Sequence, residues 1–268
     1  MGELDGKVAL VVGATRRRGL GRAIALTLAR DGADVVVTGT GRPPSEFPED
    51  EQREGWRGAP EVAEQCAALG VRSHACVLDV TSGEDVQATV AETAAHMGRI
   101  DILVNNATYA RGADRVPLQD LDDDLWRRII DVNLTGTMLC SKYVARQMIA
   151  QGDGGSIVSI SSVAGVRGGA NTAAYATTKG ALHVLTGSLA AELAGHGITA
   201  NVVAPGFIDT ARIDELREGD RWQRRLRTIP MSRAGTAEEV AETVRYLCGP
   251  STRWLTGQTI YVDGGETR

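Results

Sequence analysis

Tyr175 and Lys179 lie four residues apart in an alanine-rich segment with helical spacing, 172–194. Side chains four residues apart project from the same face of a helix and can meet. An isolated tyrosine holds its proton up to about pH 10. A lysine ammonium about 4 Å away stabilises the phenolate by about 4 kcal/mol at an effective dielectric constant of about 20, which is the size of effect that proton transfer near neutrality needs. The pair therefore predicts a group that gives and takes a proton, and a surface lysine beside a half-buried tyrosine is the alternative.

A serine joins the candidate catalytic set. Ser162 lies just after the apolar run 156–160 and precedes Tyr175 by thirteen residues. Its hydroxyl could donate a hydrogen bond to an oxygen on which negative charge develops. Ser161 is the rival, but the alternation of a strand points its side chain the opposite way.

A glycine-rich turn follows the first predicted strand. The run Gly13-Ala-Thr-Arg-Arg-Arg-Gly19-Leu20-Gly21 leads directly into a predicted helix. Glycines are needed where a strand reverses into a helix with its backbone close to a pyrophosphate, because a Cβ atom would block the approach. A plain tight turn is the alternative. The placement between a strand and an amphipathic helix favours a dinucleotide site.

Apolar runs and helical segments alternate along the whole chain. Short runs, rich in β-branched residues, indicate buried strands at 7–12, 34–38, 71–78, 101–104, 156–160, 198–203 and 259–262. Segments with helical spacing lie between them at 21–30, 60–69, 83–97, 123–150, 172–194 and 237–247. This alternation predicts one α/β domain over residues 1–268: a doubly wound Rossmann fold with a parallel sheet of about seven strands and helices on both faces.

Two segments interrupt the alternation. Residues 39–58 are rich in proline, glycine and charge, and residues 207–232 are polar and arginine-rich, with room for a short helix or two. Ligands of doubly wound folds bind beyond the carboxyl ends of the strands. We therefore expect an insertion near the cofactor at 39–58 and a substrate lid at 207–232.

Several motifs together resemble those of the classical short-chain dehydrogenase/reductase family, including members like 3-oxoacyl-acyl-carrier-protein reductases. They are the glycine-rich turn, Asp79-Val80, Asn105-Asn106-Ala107, Asn133, Ser162, Tyr175 with Lys179, and Pro205-Gly206, in family order over essentially all 268 residues. Three departures occur. Val12 replaces a threonine, Thr108 replaces a glycine, and five residues instead of three separate Gly13 from Gly19.

The resemblance implies an oxidoreductase that moves a hydride between a nicotinamide dinucleotide and a carbonyl or secondary alcohol. Tyr175 would protonate the substrate oxygen, Ser162 would hydrogen-bond it, Lys179 would also hold the nicotinamide ribose, and Asn133 would position a water. The residues implied to bind the cofactor are Gly13, Arg17, Arg18, Gly19, Leu20, Gly21, Thr40, Arg42, Asp79, Val80, Asn106, Ala107, Tyr175, Lys179, Pro205, Gly206, Ile208 and Thr210.

The end of the second strand favours NADP(H) over NAD(H). A carboxylate there commonly holds the 2′-hydroxyl of NAD, whereas arginine suits a 2′-phosphate. This strand ends Thr38-Gly-Thr40-Gly-Arg42 without an acid, and Arg18 precedes Gly19. The alternative is that the arginines of the turn only solvate an exposed loop.

Composition and scattered residues limit the remaining possibilities. A net charge of −5 gives no reason to expect nucleic acid, and no segment is typical of a membrane span or leader, so we expect a cytoplasmic protein. The four histidines are scattered, with no second ligand at metal spacing near any of them, which argues against a zinc site. Asp153 and His196 occupy positions where similar reductases carry basic residues that dock acyl carrier protein, so free small ketones rank above carrier-bound substrates. The resemblance also implies a homotetramer or dimer built on the segments 123–150 and 172–194.

Three alternatives to an NADPH-linked ketone reductase stay open. They are an NAD-linked alcohol dehydrogenase on the same fold, a 3-oxoacyl-acyl-carrier-protein reductase, and a non-catalytic dinucleotide sensor. The intact set Ser162, Tyr175 and Lys179 argues against the sensor, which has no use for a proton relay.

Overall fold

The computed structural model describes residues 2–217 and 219–268. Seven parallel strands form one sheet in the order β3-β2-β1-β4-β5-β6-β7. The strands are β1 (Val8–Val12), β2 (Asp34–Gly39), β3 (Ser73–Val77), β4 (Ile102–Asn105), β5 (Gly155–Ile160), β6 (Ile198–Pro205) and β7 (Thr259–Val262). The strand order reverses between β1 and β4. This is the place where a doubly wound sheet opens a crevice for a ligand.

Ten α-helices occur among the described residues. They are α1 (Leu20–Arg30), α2 (Glu49–Arg53), α3 (Ala59–Ala67), α4 (Gly83–Met97), α5 (Asp123–Ile130), α6 (Gly136–Gln151), α7 (Ala164–Arg167), α8 (Ala173–Leu193), α9 (Arg221–Leu226) and α10 (Ala237–Cys248). The predicted parallel α/β fold is confirmed, because seven strands alternate with helices on both faces.

The two faces of the sheet bury separate hydrophobic clusters. Along β1, Ala9 and Val11 join the cluster that packs against α1, α3 and α10, whereas Val8, Leu10 and Val12 join the one beneath α4, α6 and α8. Successive side chains of a strand point to opposite faces, so a strand covered on both sides is apolar throughout. This is why the strands appear in the sequence as nearly continuous apolar runs.

The single long helix predicted over 123–150 is wrong in one respect. Helix α5 ends at Ile130, a π-helical turn covers Asp131–Thr135, and α6 begins at Gly136. A π-turn inserts one extra residue into the hydrogen-bond ladder, and such turns are frequent at functional sites. The turn contains the candidate Asn133, whose side chain is buried.

Each of the two interrupting segments follows the carboxyl end of a parallel strand. The insertion predicted at 39–58 follows β2 and contains a 3₁₀ turn and α2, and the segment 207–232 follows β6 and contains a 3₁₀ helix (Ala211–Arg217) and α9. Within the described residues, no helix combines the length and apolarity that crossing a membrane would require.

Candidate active site

The glycine-rich turn connects β1 to the start of α1. Gly13 has a φ of +86°, and a Cβ atom there would lie 2.7 Å from Cα of Ala107. At Gly21, a Cβ would lie 2.5 Å from the carbonyl oxygen of Gly13. Gly19 caps α1 in an extended conformation, and Leu20 is its first helical residue. The turn therefore needs glycine at two positions and brings the positive end of α1 to the crevice.

The ends of the neighbouring strands support this turn. Asn106 donates from Nδ2 to the carbonyl oxygen of Gly13 at 2.7 Å, and Ala107 lies against Gly13. Asp79 follows β3, is exposed, and accepts hydrogen bonds from the backbone and hydroxyl of Thr81. Val80 is buried behind it. These predicted cofactor residues thus share the carboxyl edge of the sheet.

The insertion braces the glycine-rich turn through a buried glutamate. Glu51, only 1% exposed, accepts from Nε of Arg16 at 3.0 Å and from the backbone nitrogen of Arg17 at 2.8 Å. Trp56 donates from Nε1 to the carbonyl oxygen of Thr15 at 2.7 Å. These contacts could not be predicted from the sequence, because a glutamate and a tryptophan in a charged loop carry no signal of their burial.

The arginines predicted to read a 2′-phosphate differ in their partners. Arg17 pairs with Glu54 at 2.8 Å. Arg18 forms two hydrogen bonds of 3.0 Å to the carboxylate of Asp214 and also pairs with Asp209. Arg18 therefore ties the turn to the segment 207–232.

Arg42, beyond the end of β2, has a different environment. It donates from Nε to the hydroxyl of Thr40 at 3.2 Å, and both residues are exposed. No carboxylate of the described chain lies within 4.0 Å of its guanidinium. Arg42 is thus more available to a phosphate than Arg17 or Arg18.

The two serines after β5 face different surroundings. Ser161 is buried and donates to the carbonyl oxygen of Lys179 at 2.7 Å, while its hydroxyl also lies 2.8 Å from Nε2 of His183. Ser162 is partly exposed, and its hydroxyl accepts from the backbone nitrogen of Ala164 at 3.2 Å. Ser161 therefore contributes to the packing against α8. The hydroxyl of Ser162 only accepts a hydrogen bond within the described chain, so it can donate its proton to a ligand.

Asn133 links the loop after β4 to the helix that carries Tyr175. Its side-chain oxygen accepts from the backbone nitrogen of Tyr109 at 2.7 Å and from the hydroxyl of Thr108 at 3.2 Å. Its amide nitrogen donates to the hydroxyl of Thr178 at 3.1 Å, and that hydroxyl donates to the carbonyl oxygen of Tyr175 at 2.8 Å. Asn133 thus fixes the position of the helical turn that bears the phenol.

Lys179 lies beside Tyr175 in a buried position. Its amine is 5.8 Å from the centroid of the Tyr175 ring and donates to the carbonyl oxygen of Ile160 at 2.7 Å. Burial, and then the positive charge of Arg212, lower the pKa of Lys179 to about 7. A lysine has three donors, so two remain after the contact with Ile160.

Burial opposes the ammonium form of Lys179. Its pKa of about 7 lies well below the ordinary 10.5 of a lysine amine. Lys179 can therefore itself gain or lose a proton near neutral pH.

The segment after β6 is held firmly at its start. The carbonyl oxygen of Pro205 accepts from the backbone nitrogen of Val163, and Gly206 donates to the strand β7. Ile208 and Thr210 are both 7% exposed. These four predicted cofactor residues therefore lie at the carboxyl end of β6 and just after it, next to the loop that contains Ser162.

Two histidines lie closer together than the sequence suggested. His74 of β3 stacks on His96 of α4 with ring centroids 4.6 Å apart, and its Nε2 lies 2.7 Å from Oε1 of Glu92. The three potential ligand atoms lie within 4.8 Å of one another. The expectation that no second ligand stands near any histidine is therefore wrong for His74 and His96, because strand and helix bring distant residues together.

The crevice fits a dinucleotide on structural grounds. A turn that excludes Cβ atoms at Gly13 and Gly21 leads into an eleven-residue helix at the point where the strand order reverses. Such a helix N-terminus binds phosphate groups. Tyr175 and Ser162 lie at the same edge of the sheet, beyond the end of β5. Fold and site together define a Rossmann-type, dinucleotide-dependent oxidoreductase.

Comparison with known proteins specifies the family. A family model described as "Enoyl-(Acyl carrier protein) reductase" matches residues 13–267. The 3-oxoacyl-[acyl-carrier-protein] reductase FabG of Pseudomonas aeruginosa is 41% identical over 98% of both chains. The chain belongs to the short-chain dehydrogenase/reductase family, as the motifs predicted.

Solved structures of the same fold carry different cofactors. A gluconate 5-dehydrogenase from Burkholderia cenocepacia, in complex with NADP and tartrate, superposes with a TM-score of 0.86 at 34% identity, covering 98% of this chain and 96% of that one. An NAD⁺-bound xylitol dehydrogenase gives a TM-score of 0.84 at 32% identity, with coverage of 98% and 99%. These similarities support an NAD(P)-dependent oxidoreductase that acts on CH–OH donors.

Proposed function

We propose that the protein is an NADP(H)-dependent reductase of ketones, with Tyr175 as the proton donor. The observation that carries the proposal is the burial of the Lys179 amine beside the Tyr175 ring, where it donates to the carbonyl oxygen of Ile160, two residues before Ser162. A buried amine beside a phenol is costly to maintain for packing alone. It is expected where a proton must move.

Each side chain has a defined task in the proposed reaction. The nicotinamide cofactor supplies the hydride when it is bound. Tyr175 donates its hydroxyl proton to the substrate oxygen as the carbon is reduced, and Ser162 donates a hydrogen bond that stabilises the charge on that oxygen. Lys179 stabilises the phenolate and binds the nicotinamide ribose. Asn133 holds the turn of α8 in place and positions a water that connects Lys179 to solvent.

The preference for NADP(H) rests mainly on Arg42. No acid follows β2 to hold a 2′-hydroxyl, and Arg42 is exposed there. Arg17 and Arg18 contribute less than the sequence alone suggested, because carboxylates already pair with both guanidiniums. The likeness to an NAD⁺-bound dehydrogenase keeps NAD(H) as the alternative.

An acyl thioester on carrier protein is the second candidate substrate. The Pseudomonas aeruginosa relative is named for that substrate, so the comparisons do not support our ranking of carrier-bound substrates below free ketones. The charges of Asp153 and His196 remain the argument for that ranking. In either case the segment 207–232 would act as the substrate lid.

A panel assay with both reduced cofactors tests the proposal. Purified protein is mixed with NADPH or NADH and with small ketones, β-ketoacyl thioesters and β-ketoacyl carrier protein, and oxidation is followed at 340 nm. We expect turnover with NADPH, and a loss of NADPH affinity in Arg42→Ala but not in the exposed control Arg53→Ala. Tight binding of the cofactor without turnover of any member would favour a dinucleotide sensor.

Assembly into a dimer or tetramer through α5, α6 and α8 is also proposed. Val184 on α8 is 74% exposed, and Met138 and Ile149 on α6 are also exposed apolar side chains. Exposed apolar side chains on neighbouring helices are typical of a surface that another subunit covers.

A further inference from the structure

Two arginines from separate segments converge on the Tyr175 ring. The guanidinium carbon of Arg115 lies 4.6 Å from the ring centroid, and that of Arg212 lies 5.1 Å from it. Arg115 belongs to the loop after β4, and Arg212 to the 3₁₀ helix after β6. From this convergence we propose that the substrate carries a carboxylate or phosphate group, which Arg115 and Arg212 bind beside the reacting carbonyl. The inference rests on the proposed function, since it names the substrate class of the same site.

Packing alone does not explain why the Arg115 side chain is buried beside Tyr175. Its side chain is only 19% exposed, and its Nε is buried without a hydrogen-bond partner among the described residues. The nearest carboxylate oxygen, on Asp114, is 3.5 Å from that Nε. Burial lowers the pKa of Arg115, and the charges of Arg111 and Arg212 lower it further, while Asp114 acts in the opposite direction. This guanidinium therefore has an ion-pair partner in Asp114, but its Nε makes no hydrogen bond among the described residues.

Arg212, unlike Arg115, lacks a charged partner in the part of the chain that the structure describes. It donates from one terminal nitrogen to the backbone carbonyl oxygen of Tyr109 at 2.9 Å. No carboxylate oxygen of residues 2–217 or 219–268 lies within 4.0 Å of it. Its charge is strong enough at Lys179 to lower the pKa of that amine. Arg212 is therefore directed toward the catalytic pair.

The charges around the phenol leave a net positive environment. Arg111 is matched by Glu215, with Nε and Oε1 2.5 Å apart, and Arg115 stands next to Asp114. The charge of Arg212 is not matched by any carboxylate of the described residues, and Lys179 adds a further partial charge at neutral pH. Attraction of a cation to an aromatic ring contributes only about 0.5–2 kcal/mol, so one phenol does not offset several cations that repel one another. An anion would relieve this repulsion.

The planar forks of two arginines suit a carboxylate or phosphate. Each guanidinium can donate two parallel hydrogen bonds to such a group, and charge-assisted bonds of this kind are about twice as strong as neutral ones. The phosphates of the dinucleotide are another source of the same chemistry. The position favours the substrate, because both guanidiniums stand over the proton-donating ring and not at the Gly13–Gly21 turn.

Matched substrate pairs test the inference. We compare acetoacetate with methyl acetoacetate, and dihydroxyacetone phosphate with dihydroxyacetone, in wild type, Arg115→Gln and Arg212→Gln. In wild type, kcat/KM for one charged member should exceed that of its neutral partner by about 10- to 100-fold, the factor expected for a hydrogen bond to a charged group. Each variant should lower this charged-to-neutral ratio about 10-fold or more, and Arg115→Lys should retain part of it.

Controls separate the possible failures. Arg127→Gln, on the exposed surface of α5, should leave both rates unchanged. The NADPH affinity of Arg115→Gln and Arg212→Gln should stay within a few-fold of wild type, whereas a large loss would assign the arginines to the cofactor phosphates and overturn the inference. If the neutral ketones are reduced and neither charged substrate has a higher kcat/KM than its neutral partner, the inferred anion subsite is also overturned. The proposed function then remains intact.

A binding measurement does not depend on turnover. Malonate, a small dicarboxylate, is titrated by calorimetry into the protein saturated with NADP⁺. We expect binding in wild type that weakens about 10-fold or more in Arg212→Gln and persists in Arg127→Gln. If malonate fails to bind wild type, or binds both variants equally well, the anion subsite is refuted even when no panel member is reduced.

Discussion

Replacing Lys179 with methionine should change how the stability of the protein depends on pH. The structure lowers the pKa of this amine from 10.5 to about 7 because it is buried and faces the charge of Arg212. In the unfolded chain the amine regains its ordinary pKa. Between pH 7 and 10.5 the unfolded state therefore binds more protons at this position, and the free energy of unfolding must rise with pH.

The size of the effect follows from the two pKa values. Their difference of about 3.5 corresponds to about 5 kcal/mol, since each pKa unit is worth 1.36 kcal/mol. Below pH 7 both states hold the proton and the full penalty applies. Above pH 10.5 neither state is protonated and the penalty disappears. Relative to Lys179→Met, wild type should gain most of this free energy between pH 7 and pH 10.

Urea unfolding followed by circular dichroism measures this difference. Wild type and Lys179→Met are compared from pH 6.5 to 10 at one protein concentration, so that assembly and the titration of other groups cancel in the difference. Lys142→Met, at an exposed lysine of α6, is the control and should track wild type at every pH. If the difference in unfolding free energy between wild type and Lys179→Met stays constant across this range, the lowered pKa of Lys179 is refuted.

Three further substitutions test the parts of the structure that hold the site. Glu51→Gln should lower the free energy of unfolding by about 1–3 kcal/mol and weaken NADPH binding several-fold, since the buried carboxylate holds the backbone of Arg17; urea unfolding and fluorescence titration measure both. Gly13→Ala should reduce NADPH affinity at least 10-fold in the same titration, because the new Cβ would press on Ala107 at a φ of +86°; unchanged affinity would contradict the proposed role of the turn. Val184→Glu should shift the protein to smaller species in sedimentation velocity if α8 forms the subunit interface, and an unchanged profile would exclude that helix.

Most of the fold could be predicted because it depends on local patterns. The strand at 34–38 and the helix at 83–97, for example, match β2 and α4 to within a residue. Apolar runs of five or six residues separated by amphipathic segments have few arrangements other than a doubly wound parallel sheet. The break inside 123–150 was not predicted, because a π-turn inserts a single extra residue into an otherwise helical pattern.

The candidate site was predictable only where sequence spacing fixes geometry. Tyr175 and Lys179 meet because they stand one helical turn apart. The partners of Arg18 could not be foreseen, since Asp214 lies 196 residues away along the chain. The convergence of Arg115 and Arg212 on the phenol was missed for the same reason. Contacts between distant loops depend on the folded chain, and single residues in those loops carry no periodic signal.

The exchange of one hydroxyl at Tyr175 tests the central claim most directly. Tyr175→Phe keeps the ring between its neighbouring cations and removes only the group that we propose donates the proton. NADPH affinity should stay within a few-fold of wild type, while turnover of any reduced substrate should fall about 10²- to 10⁴-fold, the contribution of a positioned acid. Turnover equal to that of wild type would show that the proton comes from elsewhere.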